Sequence, residues 1–142
     1  MRFIDKFYNT IVVFRNSCSF LFQPVIVQLA ANKAEIFREA VRIIAKYSDG
    51  IDLNLGCPQH IARKGQYGAF LMNESWEDIY DILKSATDLA PIMAKIRIFE
   101  SVEKTVQYAK KLESAGIVGL TVHGRRIDQK KDKTGIASWK HI

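Results

Sequence analysis

The chain has 142 residues, of which 48% are hydrophobic and 25% charged, with a formal net charge of +6. That is enough apolar material for one ordinary domain with its own core, and the balance argues against a disordered chain. No apolar run reaches the roughly 18 residues that a membrane-crossing helix needs, because Gln23, Pro24 and Gln28 interrupt the longest one, so no membrane partner is expected.

The first clear element is Pro24-Val25-Ile26-Val27-Gln28-Leu29, a β-branched run of the kind that forms a buried strand. Asn32 reads as the N-cap of a helix over 33–47, in which Ile36, Phe37, Ala40, Val41, Ile44 and Ala45 recur at three and four. Asp49-Gly50 ends it, and a second strand covers 51–55. A loop rich in Gly and Lys follows, over about 56–68. The next helix is expected over 75–87, with Trp76, Ile79, Tyr80, Leu83 and Ala86 inward and Asn73 or Ser75 as its cap. Pro91 restarts the chain into a third strand over 92–96. Ser101 caps a third helix, with Val102, Val106, Ala109 and Leu112 on one face and Gly116 as its C′ residue. A fourth strand over 118–122 leads into His123-Gly124-Arg125. Residues 1–23 give no clear pattern, so the folded unit is placed at 24–142.

Strands alternating with helices argue for an α/β fold with a parallel sheet. Either an open doubly wound sheet or a (β/α)₈ TIM barrel fits that alternation. The polar residues favour the barrel. Gln28, Asn54, Lys95 and His123 each fall at or near the C-terminal end of a strand, and in a barrel those ends converge on one mouth. No G-x-G-x-x-G turn follows the first strand, as a dinucleotide-binding sheet would require. A full barrel takes about 250 residues, so four strands amount to a partial one.

The remaining counts bound the chemistry. Two cysteines, Cys18 and Cys57, make no disulfide framework, and the three histidines give no zinc-ligand spacing with them. Residues 1–9 carry charges of both signs with no small-residue cleavage pattern behind them, which argues against a signal peptide. A reducing setting is therefore expected: the cytoplasm, with the nucleus as the alternative. The positive excess favours an anionic partner, nucleic acid being the commonest, or serves solubility alone.

The most specific segment is Asp52-Leu53-Asn54-Leu55-Gly56-Cys57-Pro58-Gln59, followed by Arg63-Lys64-Gly65-Gln66-Tyr67-Gly68. A cysteine between Gly and Pro, just past a strand, sits on a tight loop at the mouth. Alone, it reads equally as a small buried hydrophobe. The segment resembles the signature of the tRNA-dihydrouridine synthases, Asn-x-Gly-Cys-Pro followed by a basic, Gly-rich stretch. Three further motifs match that family in order: the strand ending in Gln28, Lys95-Ile96-Arg97, and His123-Gly124-Arg125. The downstream Gly-Gln-Tyr-Gly-Ala-Phe-Leu run is most similar to the eukaryotic branch acting on D-loop positions 16 and 17.

The resemblance implies a flavin enzyme that reduces uridine in tRNA, with FMN as cofactor and NADPH as reductant. Hydride would reach C6 of the base, and Cys57 would protonate C5. An ordinary thiol titrates near 8.5 and stays protonated at neutral pH, so it can serve as an acid. Gln28, Lys95 and His123 match the family's flavin-contacting residues. Each has a plainer alternative: a strand-end amide, a surface lysine and a satisfied core histidine. Asn54, Arg97 and Arg125 would hold substrate or the catalytic loop, or make structural hydrogen bonds. Arg63 and Lys64 would touch tRNA phosphates, as would the cluster Arg125, Arg126, Lys130, Lys131 and Lys133, unless that cluster is a solvated loop.

Two family features have no match here. The first-strand Pro-Met segment that contacts flavin is not found in residues 1–23, and the Gly-rich phosphate turns after the last two barrel strands would lie beyond Ile142. The expectation is that this chain binds FMN weakly or not at all, and that its open barrel edges favour self-association. The rival readings are another FMN-dependent barrel oxidoreductase and an inactive half-barrel that only binds RNA or another chain.

Overall fold

The computed structural model describes residues 24–142; the expectations placed on residues 1–23 lie outside it. The elements alternate as β1 (Ile26–Leu29), α1 (Ala34–Ile44), β2 (Gly50–Leu55), α2 (His60–Lys64), α3 (Trp76–Lys84), β3 (Ile92–Arg97), α4 (Val102–Ser114) and β4 (Gly119–His123). All strand pairs are parallel, and the sheet order is β1-β2-β3-β4. The order never reverses, and α1 packs on α3 and α3 on α4 in a single layer. A doubly wound sheet needs a reversal and helices on both faces. The observed arrangement is the partial (β/α)₈ barrel expected, with three βα units followed by a fourth strand among the described residues.

Because side chains alternate along a strand, each strand gives one set of residues to the helix layer and the other to the opposite face. Val27, Leu29, Ile51, Leu53, Leu55, Ile92, Ala94 and Ile96 form the helix-side core with Phe37, Val41, Ile44, Ile79, Leu83 and Leu112. Leu53, Leu55 and Ile96 are fully buried, each contributing about 1.5–3 kcal/mol by removal from water. The register aligns the other set: Gln28 with Asp52, Asn54 with Lys95, Lys95 with Thr121, and Arg97 with His123. That polar face corresponds to the lumen of a barrel.

Three details differ from the sequence-based expectations. Asn32 does not cap α1: Lys33 takes the N-cap position without a side-chain bond, and the Asn32 amide donates to the Gly65 carbonyl at 3.2 Å instead. The stretch expected to be loop, about 56–68, contains α2, and a 3₁₀ segment, Gly68–Asn73, begins where it ends. Helix α4 buries Thr105, Tyr108 and Leu112, while Val106 is exposed. The cause is aromatic: Tyr108 packs at 5.1 Å from Trp76 and 5.5 Å from Phe99, ring centroid to centroid, which turns the helix by about one position. The caps at Ser75 and Ser101 form as expected, accepting from Asp78 N–H and Lys104 N–H. Gly116 takes positive φ, +91°, as a C′ residue should.

Candidate active site

The loop after β2 carries Cys57, and its backbone is fully committed. The Asn54 side-chain oxygen accepts both Gly56 N–H and Cys57 N–H, each at 3.0 Å. The Gly56 carbonyl accepts from Arg97 Nε at 2.7 Å. The Cys57 carbonyl accepts Ala69 N–H at 3.0 Å. Pro58 has no N–H, and its carbonyl accepts from Lys130 Nζ at 3.0 Å. Every polar backbone group from Gly56 to Pro58 therefore has a partner, which avoids the penalty of leaving polar groups unpaired beside a hydrophobic patch.

Gly68 presses on the same loop. Its φ is +68°, and a Cβ built there would lie 2.7 Å from the Cys57 carbonyl oxygen and 3.0 Å from the Cys57 Cβ. Only glycine satisfies both the backbone angle and the approach. The thiol is free and half-buried, packed against a small cluster of Ala30, Ala62 and Tyr67 with Phe70 beside it. Burial raises the Tyr67 hydroxyl above its ordinary range, and the neighbouring Cys57 adds to the rise. Lys130 also lies over the Phe70 ring, 5.9 Å from its centroid. One lysine thus fastens the loop after β4 to the loop after β2.

Behind Cys57 the lumen face is a polar network. Gln28 Nε2 donates to the Asp52 carboxylate at 2.6 Å, and Asn54 Nδ2 donates to Gln28 Oε1 at 3.1 Å. Burial raises the Asp52 carboxyl above the ordinary range, while the Gln28 bond and the Lys95 charge pull it back. The buried Arg97 guanidinium also donates to the Arg126 carbonyl at 2.9 Å, and its proton affinity is lowered by burial and then by Arg125, while Cys57 opposes the fall. Burial first, then Arg97, Lys95 and Arg125, holds His123 below the usual imidazole range. Arg125 can only donate, so its 3.0 Å contact places an unprotonated Nε2 on His123.

The expected site residues do not form one cluster. Asn54 and Arg97 hold the Cys57 loop by its backbone. Gln28, Lys95 and His123 share the lumen face, and Lys95 has no hydrogen bond or ion pair among the described residues. Arg125 does not reach the loop; it bonds His123 and the Gly135 carbonyl. Arg63 and Lys64 are exposed on α2 with no ion-pair partner among the described residues. The cluster after β4 is less available than expected. Arg126 forms a two-pronged pair with Asp128, both contacts at 3.0 Å, and Lys130 is held by Pro58. A cleft of about 300 Å³ lies between the 3₁₀ segment and the loop after β4, lined by Met72, Phe99, Glu100 and Arg126 among others. Of the expected residues it includes only Arg126, while Gln28, Asn54, Lys95, Arg97 and His123 stand on the open face of the sheet. Asp52 and Gly68 were not anticipated, and Lys130, expected at tRNA phosphates, instead donates to the Pro58 carbonyl. Only Asp52 had a readable signal, since it precedes Asn54 by two residues on a strand and so shares its face.

A partial parallel barrel with a thiol clamped at its mouth and amides and cations across its lumen places the chain among the α/β-barrel proteins. The dihydrouridine synthase family model matches residues 6–142, and the chain belongs to that family. It is 48% identical over 122 residues to the rat "tRNA-dihydrouridine(16/17) synthase [NAD(P)(+)]-like" protein, covering 84% of this chain and 28% of the relative. It is 46% identical over 122 residues to the Saccharomyces cerevisiae tRNA-dihydrouridine(16/17) synthase, covering 84% of this chain and 29% of that protein. Identity to the human tRNA-dihydrouridine(20a/20b) synthase-like protein is 38% over 124 residues, or 84% of this chain and 39% of that one. The chain spans less than two fifths of the length of these relatives.

Proposed function

We propose that this chain carries the catalytic middle of an enzyme that reduces uridine in tRNA to 5,6-dihydrouridine, with NADPH as the ultimate reductant. The observation that carries the reading is the Cys57 loop: a free thiol on a backbone tied at five points, beside a lumen face whose Lys95 ammonium has no hydrogen-bond partner among the described residues. The donors fit a flavin. Lys95 has no acceptor of its own among the described residues, Gln28 keeps one amide hydrogen uncommitted, and a neutral His123 adds a polar ring. Gln28, Lys95 and His123 would hold FMN, and bound reduced FMN supplies the hydride for C6.

The chain's own residues do the rest. Asn54 and Arg97 hold the loop so that the Cys57 thiol keeps one position. Its S–H bond breaks as a C5–H bond forms, and the C5=C6 double bond becomes single. The thiolate left behind regains a proton from solvent, Cys57 being only partly buried. The target base must leave its stack to reach this mouth. Arg63 and Lys64 face solvent near it and would meet tRNA phosphates through charge. The strong likeness to 16/17-type relatives supports D-loop uridines as the target. A cytoplasmic location, with the nucleus as the alternative, fits a tRNA substrate.

The test is dihydrouridine formation on unmodified tRNA by a chain long enough to close the barrel, wild type against Cys57→Ala. The expected loss is about 100-fold or more, the range for a positioned general acid, with unchanged flavin binding. Full activity in Cys57→Ala would sink the assignment. Flavin binding by the 142-residue chain alone, with a doubled mass in solution, would instead mean that two copies associate through their open edges to complete a barrel.

A further inference from the structure

The amide network behind Cys57 has a direction, and both of its ends are fixed by groups that cannot reverse. At the loop end stand two backbone N–H groups, Gly56 and Cys57, which only donate. Asn54 must therefore turn its oxygen to them, at 3.0 Å each. Its NH₂ then points to Gln28, which must present its own oxygen, at 3.1 Å. The Gln28 NH₂ is left for the far end, where an ionised carboxylate only accepts, at 2.6 Å. A side-chain amide in the middle of such a line has two nearly equal orientations by shape, and its neighbours alone decide between them. Asp52 supplies that decision. Its carboxylate is buried and lies level with Gln28 across the β1–β2 register.

We propose that Asp52 is the positioning residue of the Cys57 loop: its carboxylate orients Gln28, Gln28 orients Asn54, and Asn54 holds the Gly56 and Cys57 amides. A second consequence concerns ligands. With its oxygen committed to Asn54, Gln28 offers the lumen a donor only, so the ligand atom it meets is an acceptor. The catalytic meaning rests on the reading of Cys57 as the acid. The loop geometry does not, and the two can fail separately.

The experiment is amide hydrogen exchange on the ¹⁵N-labelled chain for wild type, Asp52→Asn, Gln28→Met and the double variant. The helix α3 amides of Ile82 and Leu83 serve as an internal reference for global opening. Each single variant should speed exchange at Gly56 and Cys57 by about tenfold relative to that reference, the loss expected for one hydrogen bond. The double variant should go no further, because both substitutions cut one line. The Asn54 side-chain amide, a single pair of signals in the wild type, should shift or double in both. If Asp52→Asn does not fold, Gln28→Met alone carries the test. Unchanged Gly56 and Cys57 exchange with an unmoved Asn54 signal, or additive effects in the double variant, would overturn the proposal. Normal loop exchange effects with no dependence of tRNA reduction on Cys57 would leave the positioning line standing and remove only its catalytic meaning.

Discussion

The two faces of this sheet are made from the same four strands and have opposite characters. On the helix side, Leu53, Leu55, Ile51 and Ile96 are fully buried and interlock with Phe37, Val41 and Leu83. On the lumen side, one residue away in each strand, stand Gln28, Asp52, Asn54, Lys95, Arg97 and His123. The first face gains stability from area removed from water and tolerates no polarity. The second carries charges that contribute little to stability but hold a loop and offer donors to a ligand. Strand alternation keeps the two tasks from interfering.

The sharpest way to break that comparison is to cut each face once. Leu53→Ala should lower the unfolding free energy by about 2–5 kcal/mol through a cavity the helix layer cannot fill. Lys95→Met should change it by no more than about 0.5 kcal/mol while weakening flavin binding by a longer chain. Urea unfolding and flavin titration read the two, and equal destabilisation would show that the faces are not separate. Gly68→Ala falls between them, since it strains the backbone and collides with Cys57. It should cost about 1–3 kcal/mol and speed alkylation of Cys57, measured in a Cys18→Ser background. The smallest effect concerns His123. Its folded pKa lies below the unfolded value, so the folded state binds fewer protons below about pH 6.5, where the unfolded imidazole charges. Stability should therefore fall slightly as the pH drops through that range, and His123→Gln should flatten the slope. An NMR titration that placed His123 at or above the ordinary imidazole value would contradict the three-cation environment.

Much of the layout was legible because it follows from periodicity. The strands, the major helices, the caps at Ser75 and Ser101 and the C′ glycine at Gly116 depend on neighbours close in sequence. Asn32 was misread because its amide is claimed by Gly65, 33 residues away, a contact that no local pattern announces. The face of α4 was misread for a related reason: Tyr108 meets Trp76, and the pairing of two distant aromatics outweighed the Val102, Val106 and Ala109 stripe. The Lys130 bond to Pro58 spans 72 residues and was invisible in the chain order. In the site, motif position located Asn54, Cys57 and Arg97, but which groups they hold required the fold.

The saturated backbone around Cys57 limits what the loop can recognise. Gly56 and Cys57 have both given their N–H groups to Asn54, and Pro58 has none, so this turn has no main-chain hydrogen to offer a ligand carbonyl. A loop built this way is portable chemistry without an address. Grafted with its Asn54, Gly68, Arg97 and Lys130 supports into the mouth of another barrel, it should bring a fixed thiol along and leave the choice of ligand with the host.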